Sequence, residues 1–252
     1  MFIALTVDSH RRFGELTNAE LLTPDVVAGK RVWHRKNCIN CHTLLGEGAY
    51  YGPDLTRIAA LRADVYLREF LRDPLRFYSE ERDRRIMPNP NLSDEEIDHL
   101  IAFLDWISKI DNQGWPPRPI LVTGASIPGT AVGAAYAPAA SDDPVALGST
   151  LFQDPATACF SCHSTAPGVS MVGPTMAGLA ARAAEIVQRP DYTGSATTPE
   201  GYIREAILEP SAYIVPGPNY GARGVSLMPA DYDERLTDDQ VEALVAYLMT
   251  LR

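Results

Sequence analysis

Cys38-Ile-Asn-Cys41-His42 recurs as Cys159-Phe-Ser-Cys162-His163, once in each half of a 252-residue chain. The surroundings recur with it. Ahead of each lies a glycine followed four residues later by an aromatic, Gly29 with Trp33 and Gly148 with Phe152. Behind each comes Gly52-Pro53 or Gly173-Pro174, then Met87-Pro88 or Met228-Pro229. Each Met-Pro leads to a helix-start signal, Ser93-Asp-Glu-Glu96 or Thr237-Asp-Asp-Gln240, of the kind that forms a capping box. The apolar residues that follow, Ile97, Leu100, Ile101, Leu104 and Ile107 in one half and Val241, Leu244, Val245 and Leu248 in the other, have the spacing of a helix with one buried face. Features that match six times in the same order identify an internal duplication.

The duplication fixes the domain organisation. Between the copies, Gly114-Trp-Pro-Pro-Arg-Pro opens a stretch rich in Gly, Ala, Ser and Pro that reads as a linker. The expected layout is a first domain over 13–117, a linker over 118–143 and a second domain over 144–252. No run alternates convincingly like a strand, so the fold class is all-α. Residues 1–12 stand apart. Met1-Phe-Ile-Ala-Leu-Thr-Val7 is apolar but stops at Asp8 and Arg11-Arg12, too short for a membrane span or a signal peptide. It reads either as a plain structural start or as the outer end of an N-terminal anchor. The net charge of -10 argues against a nucleic-acid partner, whose phosphates require Lys and Arg, and suits a basic protein partner.

Cys-x-x-Cys-His is the attachment signature of c-type haem: both thiols add to the haem vinyl groups, and the histidine is placed beneath the iron. A redox dithiol of the thioredoxin type needs a βαβ context that is absent. A zinc site drawing on both pairs leaves unexplained why each pair carries its own His, Gly-Pro and Met-Pro. Two covalently bound haems c are therefore expected, attached through Cys38 and Cys41 and through Cys159 and Cys162. His42 and His163 are the proximal iron ligands, and the carbonyls of Pro53 and Pro174 are expected to hold their rings through the other nitrogen. His10, His34 and His99 read as ordinary surface or core residues.

The sixth ligand separates an electron carrier from a gas-binding or catalytic haem, since Met/His ligation raises the potential and leaves no open position. Met87 is the only methionine of the first half besides Met1. In the second half Met228 matches it in its proline and in the capped helix that follows. Met171 and Met176 read as packing against the ring, and Met249 as core. The expected ligand pairs are His42 with Met87 and His163 with Met228. No catalytic residues are expected. Gly29 and Gly148 are expected to let the first and last helices of each domain approach closely, with Trp33 and Phe152 filling the crossing against residues such as Trp106 and Tyr247.

Both halves resemble class I cytochrome c. The first half, through Gly29-Lys-Arg-Val-Trp33, then Cys38 to His42 running on as Thr-Leu-Leu-Gly-Glu-Gly-Ala-Tyr-Tyr51, and the ending Asn91 to Pro117, resembles the small cytochrome component of bacterial nitric oxide reductase. That resemblance implies an N-terminal membrane anchor, a large membrane partner with b-type haem, and a soluble donor, either a cytochrome c or a copper protein. It implies a place on the periplasmic or outer face of the cytoplasmic membrane. The family's usual small component has one haem, so the second half is an addition. Its Tyr202-Ile-Arg-Glu-Ala-Ile-Leu-Glu-Pro-Ser-Ala-Tyr213 is similar to the cytochrome domain fused to subunit II of some haem-copper oxidases. The expected role is the electron-transfer subunit of a membrane nitric oxide reductase, with no catalytic centre of its own. The competing readings are a freestanding periplasmic dihaem carrier and a dihaem peroxidase, the latter opposed by a Met-Pro in both halves.

Overall fold

A computed structural model describes residues 1–78, 85–112, 142–154, 157–169, 171–217 and 220–251. The chain divides into two compact units, one holding residues 1–60 and 67–135, the other 61–66 and 136–252. The expected linker, apart from residues 142–143, and the run Gly114 to Pro117 lie outside the described residues. The helices are α1 (Phe2–Thr17), α2 (Pro24–Arg35), α3 (Ile58–Leu61), α4 (Asp64–Arg72), α5 (Asp94–Ser108), α6 (Pro144–Gln153), α7 (Leu179–Ile186), α8 (Pro199–Leu208), α9 (Tyr232–Arg235) and α10 (Asp238–Leu248).

In the first unit α2 packs on α5. Thr23 starts α2 by accepting the Val26 N–H, with Pro24 at the first helical position where its missing N–H costs nothing. Both expected capping boxes form. Ser93 accepts the Glu96 N–H at 3.2 Å while the Glu96 carboxylate takes the Ser93 N–H at 2.9 Å, and Thr237 and Gln240 repeat the exchange at 3.3 and 3.0 Å. A β-carbon at Gly29 would lie 1.9 Å from the His99 carbonyl oxygen, so the α2–α5 crossing depends on its absence. Val26, Val32 and Trp33 bury against a face containing Ile97, Leu100, Phe103 and Leu104, each large apolar side chain contributing about 1.5–3 kcal/mol. Trp33 meets Phe103 at 6.3 Å between ring centroids, and Phe103 stacks on Trp106 at 6.5 Å.

The second unit repeats this with α6 on α10. A β-carbon at Gly148 would lie 1.9 Å from the Ala243 carbonyl oxygen, and Phe152 meets Tyr247 at 5.7 Å. α8 adds Tyr202, Ile203 and Ile207 to a core shared with Leu151, Phe152, Val241 and Leu244.

The fold is all-α as expected, with two features the sequence did not announce. Among the described residues each unit holds a two-stranded hairpin, β1 (Thr43–Leu44) with β2 (Glu47–Gly48), and β3 (Gly221–Ala222) with β4 (Val225–Ser226). Their two-residue turns, Leu45-Gly46 and Arg223-Gly224, have positive φ at both positions, the geometry that matches strand twist. Strands of two residues have no period long enough to detect in sequence. The other feature is α1, which has no buried residue and exposes Phe2, Ile3, Leu5, Val7 and Phe13. Its end is tied down by Asn18. That residue, left-handed at φ 48°, accepts the Trp106 indole N–H at 3.2 Å and donates to the Lys109 carbonyl at 2.5 Å. Among the described residues no helix is long and apolar enough to cross a membrane.

Candidate haem-attachment sites

Each Cys-x-x-Cys-His occupies one tight turn. Short 3₁₀ segments, Cys38–Asn40 and Cys159–Ser161, follow residues held left-handed, Asn37 at φ 55° and Ala158 at φ 57°. The His42 N–H donates to the Cys38 carbonyl at 2.9 Å and the His163 N–H to the Cys159 carbonyl at 3.0 Å. Residues three apart on such a turn are neighbours, so both sulfurs face the same way and the histidine follows directly.

The Gly-Pro loops then cross over the histidines. The Gly52 N–H donates to the Cys41 carbonyl at 2.6 Å and the Gly173 N–H to the Cys162 carbonyl at 2.8 Å. This brings the Pro53 carbonyl to 2.9 Å from His42 Nδ1 and the Pro174 carbonyl to 2.8 Å from His163 Nδ1. A carbonyl can only accept, so Nδ1 carries the proton and Nε2 keeps its lone pair for a metal. The expected role of the prolines therefore holds. What the sequence reading missed is the glycine before each. A β-carbon at Gly52 would lie 2.6 Å from His42 Cε1, and one at Gly173 would lie 2.3 Å from His163 Cε1. The repeated Gly-Pro pair carried that signal, but only its proline was interpreted.

Burial pushes both imidazoles below their ordinary range, with the proline carbonyls pulling the other way. The neutral form, the one that binds a metal, is thereby favoured. No disulfide joins any of the four cysteines. Burial pushes the Cys38 thiol up and the Cys159 thiol up to about 11.

In the second unit Cys159, Cys162, His163 and Met228 line one cavity of about 290 Å³, walled mainly by apolar side chains such as Leu179, Ile203 and Leu227. The hairpin β3–β4 presents the methionine: Leu227 N–H donates to the Tyr220 carbonyl at 3.1 Å and Met228 N–H to Ser226 Oγ at 3.2 Å. Met176 lines the same cavity and Met249 packs against the core, while Met171 is partly buried and is not among the residues lining the cavity. Two thiols, an imidazole with a free Nε2 and a thioether around an apolar cavity fit a haem c. In the first unit Cys38, Cys41 and His42 have the same local geometry. Met87, partly buried between exposed neighbours, sits in an irregular segment whose later residues are fastened by Lys36 Nζ, which donates to the carbonyls of Pro90 and Asn91 at 3.0 and 2.9 Å.

The sequence profile of the cytochrome c family matches residues 26–108 and 145–252, one match over each copy. The chain belongs to the cytochrome c family. This cytochrome is 41% identical over 120 residues to the C subunit of nitric oxide reductase from Stutzerimonas stutzeri, a match covering 47% of its own length and 82% of the relative. It is similarly 40% identical over 124 residues to the C subunit of nitric oxide reductase from Paracoccus denitrificans, covering 47% of its length and 83% of the relative. The counterpart from Halomonas halodenitrificans is 40% identical over 125 residues, again 47% of this chain and 83% of the relative. The cytochrome is thus a c-type electron carrier with covalently bound haem c, built as two tandem cytochrome c domains.

Proposed function

We propose that this cytochrome is the dihaem electron-transfer subunit of a membrane nitric oxide reductase. The observation that supports this best is the 41% identity spanning 82% of a nitric oxide reductase C subunit, in a chain that carries a second complete attachment motif. A bound haem supplies one-electron exchange at its iron. Cys38 and Cys41 would tether one haem and Cys159 and Cys162 the other, with His42 and Met87, and His163 and Met228, as axial ligands. Met87 takes its role from its place in the repeat, Met228 also from the cavity it shares with His163. With a methionine as well as a histidine to hold each iron, the domains would carry electrons rather than bind gas, and no catalytic residue is assigned.

The second domain, within 144–252, receives electrons from an external donor and passes them to the first, within 13–117. The first delivers them to a large membrane partner with b-type haem. Fourteen Asp and Glu face six Lys and Arg between residues 142 and 252, against eighteen and fifteen in residues 1–112. That imbalance favours docking of a basic donor on the second domain through long-range steering. The location is the outer face of the cytoplasmic membrane, and the outward apolar residues of α1 support seating at a lipid surface.

The test is to isolate the native chain from detergent-solubilised membranes and record its reduced spectrum and its nitric oxide uptake. Co-isolated b-type haem with nitric oxide uptake is expected. A pure c-type spectrum without uptake, from membranes whose other respiratory complexes remain intact, would instead make the chain a freestanding carrier.

A further inference from the structure

Two buried side-chain oxygens lack a hydrogen-bond partner among the described residues, Asp54 Oδ2 and Tyr213 Oη. Asp54 is accounted for locally, since its other oxygen accepts the Thr56 N–H at 2.8 Å and fixes the turn after Pro53. Tyr213 has no such account. Its side chain lines the cavity shared by Cys159, Cys162, His163 and Met228.

The neighbours of Tyr213 are committed elsewhere. Its ring packs edge-on against Tyr192 at 5.2 Å and Tyr202 at 6.5 Å. The Tyr192 hydroxyl donates to Glu205. Arg189, also on the cavity wall, makes a two-pronged pair with Asp191, at 2.8 Å for each bond. Arg182 is turned to the carbonyls of Thr175 and Ala177. A buried hydroxyl left without a partner is costly, and the walls around this one are mainly apolar. A haem is an apolar disc apart from its two propionate carboxylates, so the one group it brings that answers a lone buried donor is a propionate.

We infer that the Tyr213 hydroxyl donates a hydrogen bond to a propionate of the haem in the second domain, with the Arg189 guanidinium lining the same cavity. The duplication sharpens the point. Asp73-Pro74-Leu-Arg-Phe77 follows α4 as Glu209-Pro210-Ser-Ala-Tyr213 follows α8, so the first domain has a buried phenylalanine at the matching position. One domain has the hydroxyl and the other does not. A donor on the propionate partly neutralises its charge. Its loss leaves more negative charge near the iron, favours the ferric state and lowers the potential.

The inference rests on the reading of a haem in each domain, and the test separates the two. Full-length protein matured with haem, wild type and Tyr213→Phe, is first assayed for haem per chain and for the methionine–iron charge-transfer band. Fewer than two haems in the wild type sinks the dihaem reading itself. With two haems and an intact band in both proteins, resonance Raman in the propionate-bending region and a spectroelectrochemical titration follow. The expected result is a shifted propionate-bending band in Tyr213→Phe. The reduction equilibrium of one haem should also fall about three- to tenfold, roughly 30–60 mV for one electron, with the other haem unmoved. Phe77→Tyr serves as a second variant that leaves the second domain untouched, and the band of the second haem should not respond to it. An unchanged propionate band in Tyr213→Phe overturns the inference whatever the potential does.

Discussion

Replacing Gly148 by alanine tests whether the second domain is held by direct contact between helix backbones. The added β-carbon would sit 1.9 Å from the Ala243 carbonyl oxygen, 2.6 Å from its carbon and 2.7 Å from Tyr247 Cβ. None of these is the movable end of a side chain, so α6 and α10 must separate by more than 1 Å to restore even a 3.0 Å approach. A gap of about 0.5–1 Å already forfeits a quarter to a half of each dispersion contact. Leu151, Phe152, Val241 and Leu244 all belong to the core beside this crossing. Overpacking of this sort costs about 1–3 kcal/mol, and the gain of about 1 kcal/mol from replacing a helical glycine by alanine offsets only part of the larger values. Since none of the clashing atoms can swing aside, the upper part of that range applies, and a net loss of about 1–2 kcal/mol lowers Tm by roughly 4–16 °C for a domain near 100 residues. The assay is thermal unfolding of the haem-loaded full-length chain followed by far-UV circular dichroism. Gly14→Ala is the control, since nothing lies within 4 Å of a β-carbon there. It should leave both domain transitions in place. Equal transitions for Gly148→Ala and the wild type would refute the argument that this crossing requires a glycine.

Met228→Ala should lower the potential of one haem and abolish its methionine–iron band, by removing the ligand that favours the reduced state; an unchanged spectrum would assign the ligand elsewhere. Ala158→Gly should stabilise the second domain by about 0.5–1 kcal/mol in denaturant titration, because Ala158 sits at φ 57° where glycine is unstrained. Equal midpoints would show that the turn carries no such strain. Glu205 is pushed up by burial, but hydrogen bonds from the Tyr192 hydroxyl and from Ser195 outweigh this and hold its carboxyl below the ordinary 4.5. A depressed folded value gives stability that is fully present above pH 4.5 and lost as pH falls through the folded value. Glu205→Gln should therefore flatten the acid limb of the second domain's stability profile, measured by Tm between about pH 6 and about pH 3, and a limb of unchanged slope would show that other groups set it.

Much of this cytochrome was legible in one dimension because its instructions are local and written twice. A capping box needs residues three apart, and a haem-attachment turn needs five in a row. Ser93 with Glu96, Thr237 with Gln240 and the two Cys-x-x-Cys-His runs could be read without knowing what surrounds them. Gly29 and Gly148 were legible for a similar reason: a glycine one turn before an aromatic on an apolar helix face signals a close crossing wherever the partner helix lies. Other features depended on which distant atoms arrive at the same place. That Gly52 and Gly173 must lack a β-carbon follows from where the His42 and His163 rings end up. The tie between Asn18 and Trp106 joins residues far apart in the chain. Tyr213 reads in sequence as one more aromatic before a Met-Pro. Only the tertiary structure shows its hydroxyl buried on the wall of the His163 cavity without a partner among the described residues, because satisfaction of a polar group is a property of its neighbours and not of its own spacing.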